Sequence, residues 1–367
     1  MPVPAWPTCR GTRADLPSQI VRATPSRPLT PRALAQALKH EAQTLGFELC
    51  GVAAARPLDR TFFEAWLAAG HAAELQYMKE RIDERLDPSA IVAGARSVVV
   101  VAMNYYRPDL APRPGQLQVA RYARGRDYHL FLRRQLRKLR RRLLTLAPGC
   151  EVHPSVDTSP VAEKVWAELS GLGWVGHNGL LLTQRFGSWV LLGTLITTAE
   201  LACDAPHPHR CGDCRACLPA CPTGALRGDG VVDARRCLAN WTIETRGEIP
   251  EPLRSAASER QFGCDVCQEV CPWNRFATPT ARADFDPFPL VQLRCSELLG
   301  LSDDALERAL VGSALQRPGL TGLRRNAVLG LREEGTSALP LCERLAADPN
   351  PVLRATAQWT RAQLRSE

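Results

Sequence analysis

The sequence contains no long apolar segment. Its longest apolar runs, residues 98–103 and 189–196, are far shorter than the roughly 20 residues that a helix needs to cross a bilayer. The first 30 residues are rich in Pro, Arg, Ser and Thr and have no apolar core of the kind that a secretory signal requires. We therefore expect a cytoplasmic protein without membrane contact. We expect residues 1–29 to form a disordered extension, and the alternative is a misplaced start codon.

The sequence also lacks a persuasive glycine-rich loop for a dinucleotide. The string RGR at 124–126 is too weak a pattern to indicate one, and the glycines at 171, 173 and 176 do not follow a clear strand. We therefore expect that neither NAD(P)H nor a flavin binds directly to this chain.

Cysteine, in contrast, is abundant, with 14 residues in the chain. Disulfide frameworks are typical of small secreted proteins, so in a chain of this length without a secretory signal we favour metal ligation. The cysteines outside any motif are interpreted as ordinary thiols, namely Cys9, Cys50, Cys150, Cys203, Cys295 and Cys342.

Two cysteine motifs lie between residues 211 and 271. The first is C-x2-C-x2-C-x3-C followed by Pro222, which is the bacterial ferredoxin spacing. The second ends in Pro272 but has Gln261 where its first cysteine would be, and Cys237 is the obvious substitute. The fourth cysteine of this motif ligates the other cluster. We predict two 4Fe–4S clusters, one bound by Cys211, Cys214, Cys217 and Cys271 and the other by Cys221, Cys237, Cys264 and Cys267.

Zinc is the competing metal. A structural zinc site needs four thiolates in a tetrahedral arrangement, often from two separated C-x2-C pairs. Two cysteine runs that each end in Cys-Pro fit iron–sulfur cubes better. Neighbouring cubes suit sequential one-electron transfer, although clusters that only stabilise the fold stay an alternative. For electron transfer, we expect an external donor protein of the flavodoxin or ferredoxin type.

The positive charge is concentrated in one segment. The formal net charge is +8, and much of it comes from arginines at residues 121–142. Leucines between 130 and 146 form one apolar stripe, which predicts an amphipathic helix with its cations facing outward. Such a density of arginine indicates a phosphate-rich partner such as nucleic acid. The alternative is a solvated helix face whose acidic partners lie elsewhere.

The order of the predicted elements indicates several domains. Alternating helices and apolar strands predict an α/β domain, with a helix at 74–84 and a strand buried on both faces at 98–103. The last three predicted helices, at 320–331, 337–347 and 351–364, resemble a HEAT-type repeat that is too short for a solenoid. The predicted parts are a disordered extension (1–29), an α/β domain (30–201), a ferredoxin-like 4Fe–4S domain (202–282) and a HEAT-like helical domain (283–367).

Several longer strings lie inside and outside the cysteine motifs. They are RYARGRDYH at 121–129, VDTSP at 156–160 with EK at 163–164, GWVG at 173–176, GSW at 187–189, WTIE at 241–244, FGCDVCQ at 262–268, PWNR at 272–275, GSA at 312–314, Arg317, and RN at 325–326. Together they resemble the signatures of the epoxyqueuosine reductase family over roughly residues 30–330. The chain departs from that pattern at His177, where lysine is usual, and at Lys164, where arginine is common.

This resemblance implies a cobalamin-binding α/β domain joined to a ferredoxin module, as in the similar reductive dehalogenases. It implies reduction of epoxyqueuosine to queuosine at the wobble position of tRNA, the last step of queuosine biosynthesis. The partner it implies is a tRNA with a queuosine-type anticodon stem-loop. Two electrons and two protons arrive, and the epoxide oxygen leaves as water. Family members hold cobalamin without a protein ligand in the lower axial position, and the nearer cluster reduces cobalt.

Asp157 matches the catalytic acid of that family. Opening an epoxide creates alkoxide charge, which a carboxylic acid can protonate as the bond breaks. Since the ordinary pKa of aspartate is about 3.9, we expect burial beside the corrin to raise it. From the residues alone, the alternative is that Asp157 caps a turn ahead of Ser159 and Pro160.

Cofactor and tRNA contacts are carried over from the resemblance by position, and each could instead be a local hydrogen-bonding residue. The expected cobalamin contacts are Arg85, Tyr122, Asp157, Ser188, Asn240, Asp265 and Gln268. Arginine suits phosphate because its planar fork matches the oxygens. The expected phosphate contacts are Arg124, Arg126, Arg133, Arg137 and Arg246, with Arg317, Arg324 and Arg325 from the C-terminal helices.

Two rival functions stay open. A related corrinoid reductase would act on a small halogenated or epoxide substrate, and a nucleic-acid-binding protein would use its clusters only to stabilise the fold. The basic helix and the helical tail favour tRNA over a small substrate. Bound corrin would rule strongly against purely structural clusters. We expect the protein to be a monomer.

Overall fold

The computed structural model describes residues 29–108, 113 and 115–366. Apart from Leu29, the predicted extension at 1–29 lies outside these residues. No helix in this described part has the length and apolarity of a bilayer span. Its α-helices are α1 (Pro31–Thr44), α2 (Thr61–Ala68), α3 (Gln76–Lys79), α4 (Ile82–Leu86), α5 (Tyr128–Leu146), α6 (Glu163–Leu169), α7 (Cys217–Ala220), α8 (Glu251–Ser258), α9 (Val266–Glu269), α10 (Cys295–Leu299), α11 (Asp303–Leu310), α12 (Gly319–Gly330), α13 (Leu339–Leu345) and α14 (Pro351–Ser366).

A four-stranded sheet in the order β1-β2-β6-β3 frames the first domain. All of its neighbouring strands run antiparallel. The predicted α/β domain therefore has helices and strands mixed along the chain, but the sheet of its described residues is antiparallel, whereas a parallel sheet is usual for that class. The strands are β1 (Leu49–Ala54), β2 (Ser97–Asn104), β3 (Val152–Ser155), β4 (Trp174–Val175), β5 (Leu181–Leu182), β6 (Val190–Thr197), β7 (Leu226–Gly228) and β8 (Val231–Val232).

Strand β2 is buried along its whole length, which confirms the predicted strand at 98–103. Val99 and Val101 pack on the face covered by α1 and α5, and Val98 and Val100 pack on the face covered by α6. The apolar stripe of α5 is buried against the first face. The arginines of α5 are consequently directed away from the core.

The predicted helix at 74–84 is wrong as a single element. It is divided into α3 and α4, and Arg81 between them has φ +53°. A residue in this left-handed conformation cannot continue a right-handed helix. The break separates Tyr77 on α3 from Arg85 on α4, and both side chains face the cleft described below.

Residues 115–126 connect the sheet domain to the end of the chain. Isolated bridges pair Gln116 with Arg294, Val119 with Phe262, and Arg126 with Ser313. Apolar side chains of this stretch pack in the same core as the helices α10 to α14. The last three predicted helices are confirmed as α12, α13 and α14.

Arg325 on α12 is fully buried, and it clamps the segment that follows Cys237. Its guanidinium donates to the carbonyl oxygens of Trp241, Thr245 and Gly247, at 2.8 Å and 3.0 Å for the first two. The proposal of Arg325 as a phosphate contact is therefore wrong, because its donors are used inside the protein. The clamp holds the π-helical turn Asn240–Glu244 against α12.

Candidate active site and cluster centres

The motif cysteines form two separate groups in space, defined by the thiols that interact electrostatically with one another. The first group contains Cys211, Cys214, Cys217 and Cys271. The second group contains Cys221, Cys237, Cys264 and Cys267. These are the two ligand sets that the spacing predicts, so the fold brings four thiols to each expected cube.

Cys237 and Gln261 account for the irregular second motif. Gln261 is 1% exposed, accepts the backbone N–H of Gln118 at 2.7 Å and donates to the carbonyl of Ser258. It supports the backbone and is not part of the second group. Cys237 lies ahead of the π-helical turn, and backbone N–H groups of Ala239 and Asn240 point at its thiol.

The first group lies near the surface. Its thiols line a cavity of about 90 Å³ together with His177 and Trp273, and Cys214 is exposed. Trp174 Nε1 donates to Cys211 Sγ at 3.4 Å. His177 stands beside this cavity with both ring nitrogens engaged, since Nδ1 accepts the N–H of Asp229 at 3.2 Å and Nε2 lies 2.6 Å from Arg215.

Two histidines also approach the first group. His177, His209 and Cys211 have ligand atoms within 4.8 Å of one another. A zinc site would need a fourth ligand and would leave the other thiols of the group unused. The complete set of four thiols therefore fits a cube better than this mixed set fits zinc.

The region around Asp157, Glu163 and Lys164, called the cleft below, adjoins the second group. Lys164 on α6 interacts electrostatically with Cys237 and Cys267 on one side and with Glu163 on the other. Its Nζ donates to the carbonyl of Gly179 at 2.6 Å. The Asp157 side chain is 59% exposed although protein surrounds most of it, so it faces the cleft and not the outer surface.

Asp157 lies in the loop between β3 and α6 in a strained backbone conformation. Its φ is +52°, a value that few residues other than glycine, asparagine and aspartate adopt. Its N–H donates to Glu163 Oε1 at 3.0 Å. The carboxylate is hydrogen-bonded to the side chains of His129 and Tyr128. In the described part of the chain these two side chains are the hydrogen-bond partners of the carboxylate, which does not favour the alternative that Asp157 caps the turn ahead of Ser159 and Pro160.

The pKa of Asp157 is lowered, whereas the sequence analysis expected burial to raise it. Burial by itself would raise this pKa, but hydrogen bonds from His129 and Tyr128 and the charges of His129 and Arg317 outweigh it. The pKa of Asp157 is therefore lowered, and the carboxylate is ionised at neutral pH. The sequence alone could not show the lowered pKa, because His129 lies 28 positions and Arg317 lies 160 positions from Asp157 along the chain.

Glu163 and His129 are the site residues that the sequence analysis missed. Burial raises the pKa of Glu163 to about 8, so at neutral pH this side chain is largely a carboxylic acid, next to ionised Asp157. His129 Nε2 lies 3.1 Å from Asp157 Oδ2. Both residues lie in the strings that carry the family resemblance. Their polar side chains within those strings were the available indication that they belong to the site.

The opposite rim of the cleft carries further polar groups. Arg317 forms a forked ion pair with Glu244 at 2.7 Å and 3.1 Å, and the charges of Glu244 and Asp157 add to burial in raising the pKa of Tyr77. Arg85 donates to the carbonyl of Tyr77 at 2.9 Å. Arg317 therefore lies at the cleft with its charge largely paired.

The predicted cobalamin contacts fall into two sets. Ser188, Asp265 and Gln268 are buried in one network, in which Gln268 accepts from Ser188 at 2.8 Å and donates to Asp265 at 2.6 Å. The other set comprises Arg85, Tyr122, Asn240 and Asp157, which surround the cleft. The Oδ1 of buried Asn240 and the Nε of Arg85 have no hydrogen-bond partner within residues 29–108 and 115–366.

Asp265 also lines a larger cavity, of about 500 Å³. Its walls include Arg107, Arg121 and Arg260 together with Cys264. The cavity is thus basic and touches the second group of thiols. Arg124, a predicted phosphate contact, lines this cavity and donates to the carbonyl of Val119 at 2.7 Å.

The basic helix α5 begins at the cleft and continues along the surface. Arg133 donates to Thr158 Oγ1 at 2.6 Å, next to Asp157. Arg133, Arg137 and Arg141 are exposed at a spacing of four residues and therefore share one face. Arg126 and Arg246 are also exposed, whereas Arg324 pairs with Asp303 at 2.8 Å.

Two family models match parts of this chain. Residues 85–158 match the family model "Epoxyqueuosine reductase QueG, DUF1730", and residues 210–274 match "4Fe-4S double cluster binding domain". An epoxyqueuosine reductase of Gloeobacter violaceus is 44% identical over 309 residues, which cover 82% of this chain and 96% of the relative.

Solved structures give the same result. An epoxyqueuosine reductase with an epoxyqueuosine-modified tRNA-Tyr stem loop aligns with a TM-score of 0.84 and 30% identity over 90% of each chain. The enzyme of Bacillus subtilis, with its catalytic aspartate loop swung out of the active site, aligns with a TM-score of 0.83 and 29% identity over 90% of each chain. This chain therefore belongs to the epoxyqueuosine reductase family.

Proposed function

We propose that this protein reduces epoxyqueuosine to queuosine in tRNA. The observation that carries the proposal is a cleft with an acidic residue, Asp157, and with one of the two groups of cluster thiols at its border. A related structure holds an epoxyqueuosine-modified tRNA stem loop. Conversion of an epoxide to an alkene and water consumes two electrons and two protons. The thiols of the second group support the supply of electrons, and Asp157 supports the supply of protons.

We propose cobalamin as the group that fills the cleft between Asp157 and Lys164. The side-chain amides of a corrin need hydrogen-bond donors and acceptors, and Arg85 Nε and Asn240 Oδ1 are an unused donor and acceptor there. Arg85, Tyr122 and Asn240 are the residues that would hold it. When bound, cobalamin would supply a strongly reducing cobalt centre for the two-electron reduction of the epoxide.

The protein residues divide the remaining work. Asp157 delivers a proton to the oxygen of the opening epoxide, as a positioned acid does in general acid catalysis. The two groups of thiols would hold the clusters, which would supply single-electron transfer between the surface, near exposed Cys214, and the cleft. Arg317 and Glu244 hold the rim opposite Asp157 through their ion pair.

The proposal is tested by anaerobic reconstitution with iron, sulfide and cobalamin, followed by assay on tRNA that carries epoxyqueuosine. We expect queuosine to form, as measured by mass spectrometry of the digested nucleosides. Corrin binding without conversion would indicate a small-molecule corrinoid reductase. Absence of corrin binding would indicate a nucleic-acid-binding protein with structural clusters.

Helix α5 is proposed as part of the tRNA interface. Replacing Arg133, Arg137 and Arg141 together with glutamine should weaken tRNA binding at least about tenfold and reduce the slope of log Kd against log salt, because fewer counterions are released. Filter binding at several salt concentrations measures both. The matched triple lysine variant keeps the charge and should bind nearly as wild type. Unchanged binding by the glutamine variant would exclude this face from the interface.

Several finer assignments stay proposals. We propose that the sheet domain is the cobalamin-binding domain and that the last helices are HEAT-like, with the boundaries 201/202 and 282/283. We also propose a monomer in the cytoplasm that takes electrons from a flavodoxin- or ferredoxin-type protein. Turnover with NADPH alone, without any donor protein, would contradict the last point.

A further inference from the structure

Three side chains form a hydrogen-bonded line that ends at Asp157. Asp127 Oδ1 lies 2.8 Å from His129 Nδ1, and His129 Nε2 lies 3.1 Å from Asp157 Oδ2. An imidazole between two carboxylates can hold a proton at one nitrogen while the other is fixed by its partner. This line therefore has the geometry of a proton relay.

Asp127 determines which nitrogen of His129 faces Asp157. Its Oδ1 also accepts the backbone N–H of His129 at 3.0 Å, at the N-terminus of α5. Because Asp127 occupies Nδ1, Nε2 is directed to Asp157. The ring of Tyr128 stacks on the imidazole with centroids 4.1 Å apart. The imidazole is thus held both at its edge and on its face.

We infer that His129, oriented by Asp127, stores the proton that reloads Asp157 during the reduction. This inference rests on the proposed function. His129 acts through Asp157, so His129 and Asp127 are positioning residues, whereas Asp157 is the catalytic residue that contacts the reacting oxygen.

The proton count supports this role. The reduction consumes two protons, and Asp157 carries one at a time. Transfer from His129 Nε2 to Asp157 Oδ2 leaves a neutral imidazole and a neutral carboxylic acid, which gives its proton to the departing oxygen. His129, whose side chain is 21% exposed, then takes a proton from water. A second transfer completes the two protons, and the two electrons come through the clusters.

The surrounding charges keep His129 protonated at neutral pH. Burial alone would lower its pKa, but Asp127 and Asp157 outweigh burial and raise the pKa to about 9. His129 is therefore protonated below that pH and loses its proton as the pH rises through the pKa. The other titratable or charged groups that face the line are Tyr122, Tyr128, Arg133, Glu163 and Arg317.

Histidine NMR tests the stored proton without turnover. In cluster-containing, cobalamin-free protein labelled with ¹³C-histidine, the signal lost in His129→Gln identifies this residue among the 7 histidines. We expect it to titrate near pH 9 and at least about one pH unit lower in Asp127→Asn, which removes a negative neighbour. A His153→Gln control should leave this titration unchanged. Titration of the wild type near the ordinary value of about 6.5 would overturn the inference.

Single-turnover kinetics test the transfer. In His129→Gln, the side-chain amide can still donate a hydrogen bond toward Asp157, but it cannot release a proton. We expect conversion roughly 10²-fold slower than in the wild type. We also expect the wild-type rate to decline near pH 9 and the rate of the variant not to do so. Glu163 titrates close to His129, because its pKa is about 8. The variant Glu163→Gln removes the titration of Glu163, so a decline that persists in it is assigned to His129. A wild-type rate and pH profile in His129→Gln would overturn the inference, whereas inactive wild type would instead refute the proposed function.

Discussion

Replacing Asp157 with asparagine should lower the rate of epoxyqueuosine reduction by roughly 10²–10⁴-fold, the usual contribution of a positioned general acid. Asparagine has nearly the same shape and tolerates the φ of +52° found here, so the loop should keep its backbone. It cannot, however, donate a carboxylic proton to the opening epoxide. Single-turnover conversion, followed by mass spectrometry of nucleosides, measures the effect.

The interpretation of that variant depends on what it retains. Iron content and tRNA affinity should match those of the wild type, because Asp157 is not among the cysteine groups and helix α5 is unchanged. Corrin content is measured as well, because Asp157 is itself an expected cobalamin contact and the rate is compared at equal corrin loading. Asp304→Asn, an exposed aspartate on α11, is the control and should convert at the wild-type rate. Full activity in Asp157→Asn would remove Asp157 from the mechanism and leave Glu163 as the acid in the cleft.

Replacing Cys237 with serine should remove one cluster and abolish turnover. Each cube holds four iron ions, so iron content should fall from about eight to about four per chain. The remaining cluster should be the one near the surface, since its four thiols do not include Cys237. Loss of the cluster that borders the cleft interrupts the electron path, and conversion should fall below detection.

Iron analysis and the visible spectrum of the reconstituted protein measure this result. Cys203→Ser is the matched control, because Cys203 is exposed and outside both groups, and it should keep about eight iron ions. Full iron content in Cys237→Ser would show that another residue completes the second cube. Gln261 would then need to leave its bonds to Gln118 and Ser258.

The cysteine spacing predicted the most about this protein because ligand chemistry constrains position directly. A cube needs four thiolates, so one motif and a partial copy indicated the eight cysteines and singled out Cys237 over Gln261. The fold gathers those same two sets. The buried strand β2 was equally readable, since an unbroken β-branched run has no polar face.

Other features depended on contacts between distant segments. The apolar run of β2 does not specify the direction of the neighbouring strands, so the sequence could not predict that the sheet is antiparallel. The hydrophobic spacing of residues 74–84 is that of a helix, and this spacing does not indicate the left-handed backbone of Arg81 that divides it. The buried position of Arg325 and the lowered pKa of Asp157 each require a partner from another part of the chain, and no local pattern contains that information.

The pairing of residues 115–126 with later segments has a consequence for synthesis on the ribosome. The strands of the four-stranded sheet are all made once residue 197 has been added, so the sheet can form early. The backbone of this stretch finds its partners only when Phe262, Arg294 and Ser313 emerge. A nascent chain shorter than this leaves Leu117 and Val119 without their core, and domains made in this order expose apolar surface that chaperones recognise. Truncation of the C-terminal helices should consequently disturb Tyr122, which lies in the same stretch, as well as the surface that those helices form.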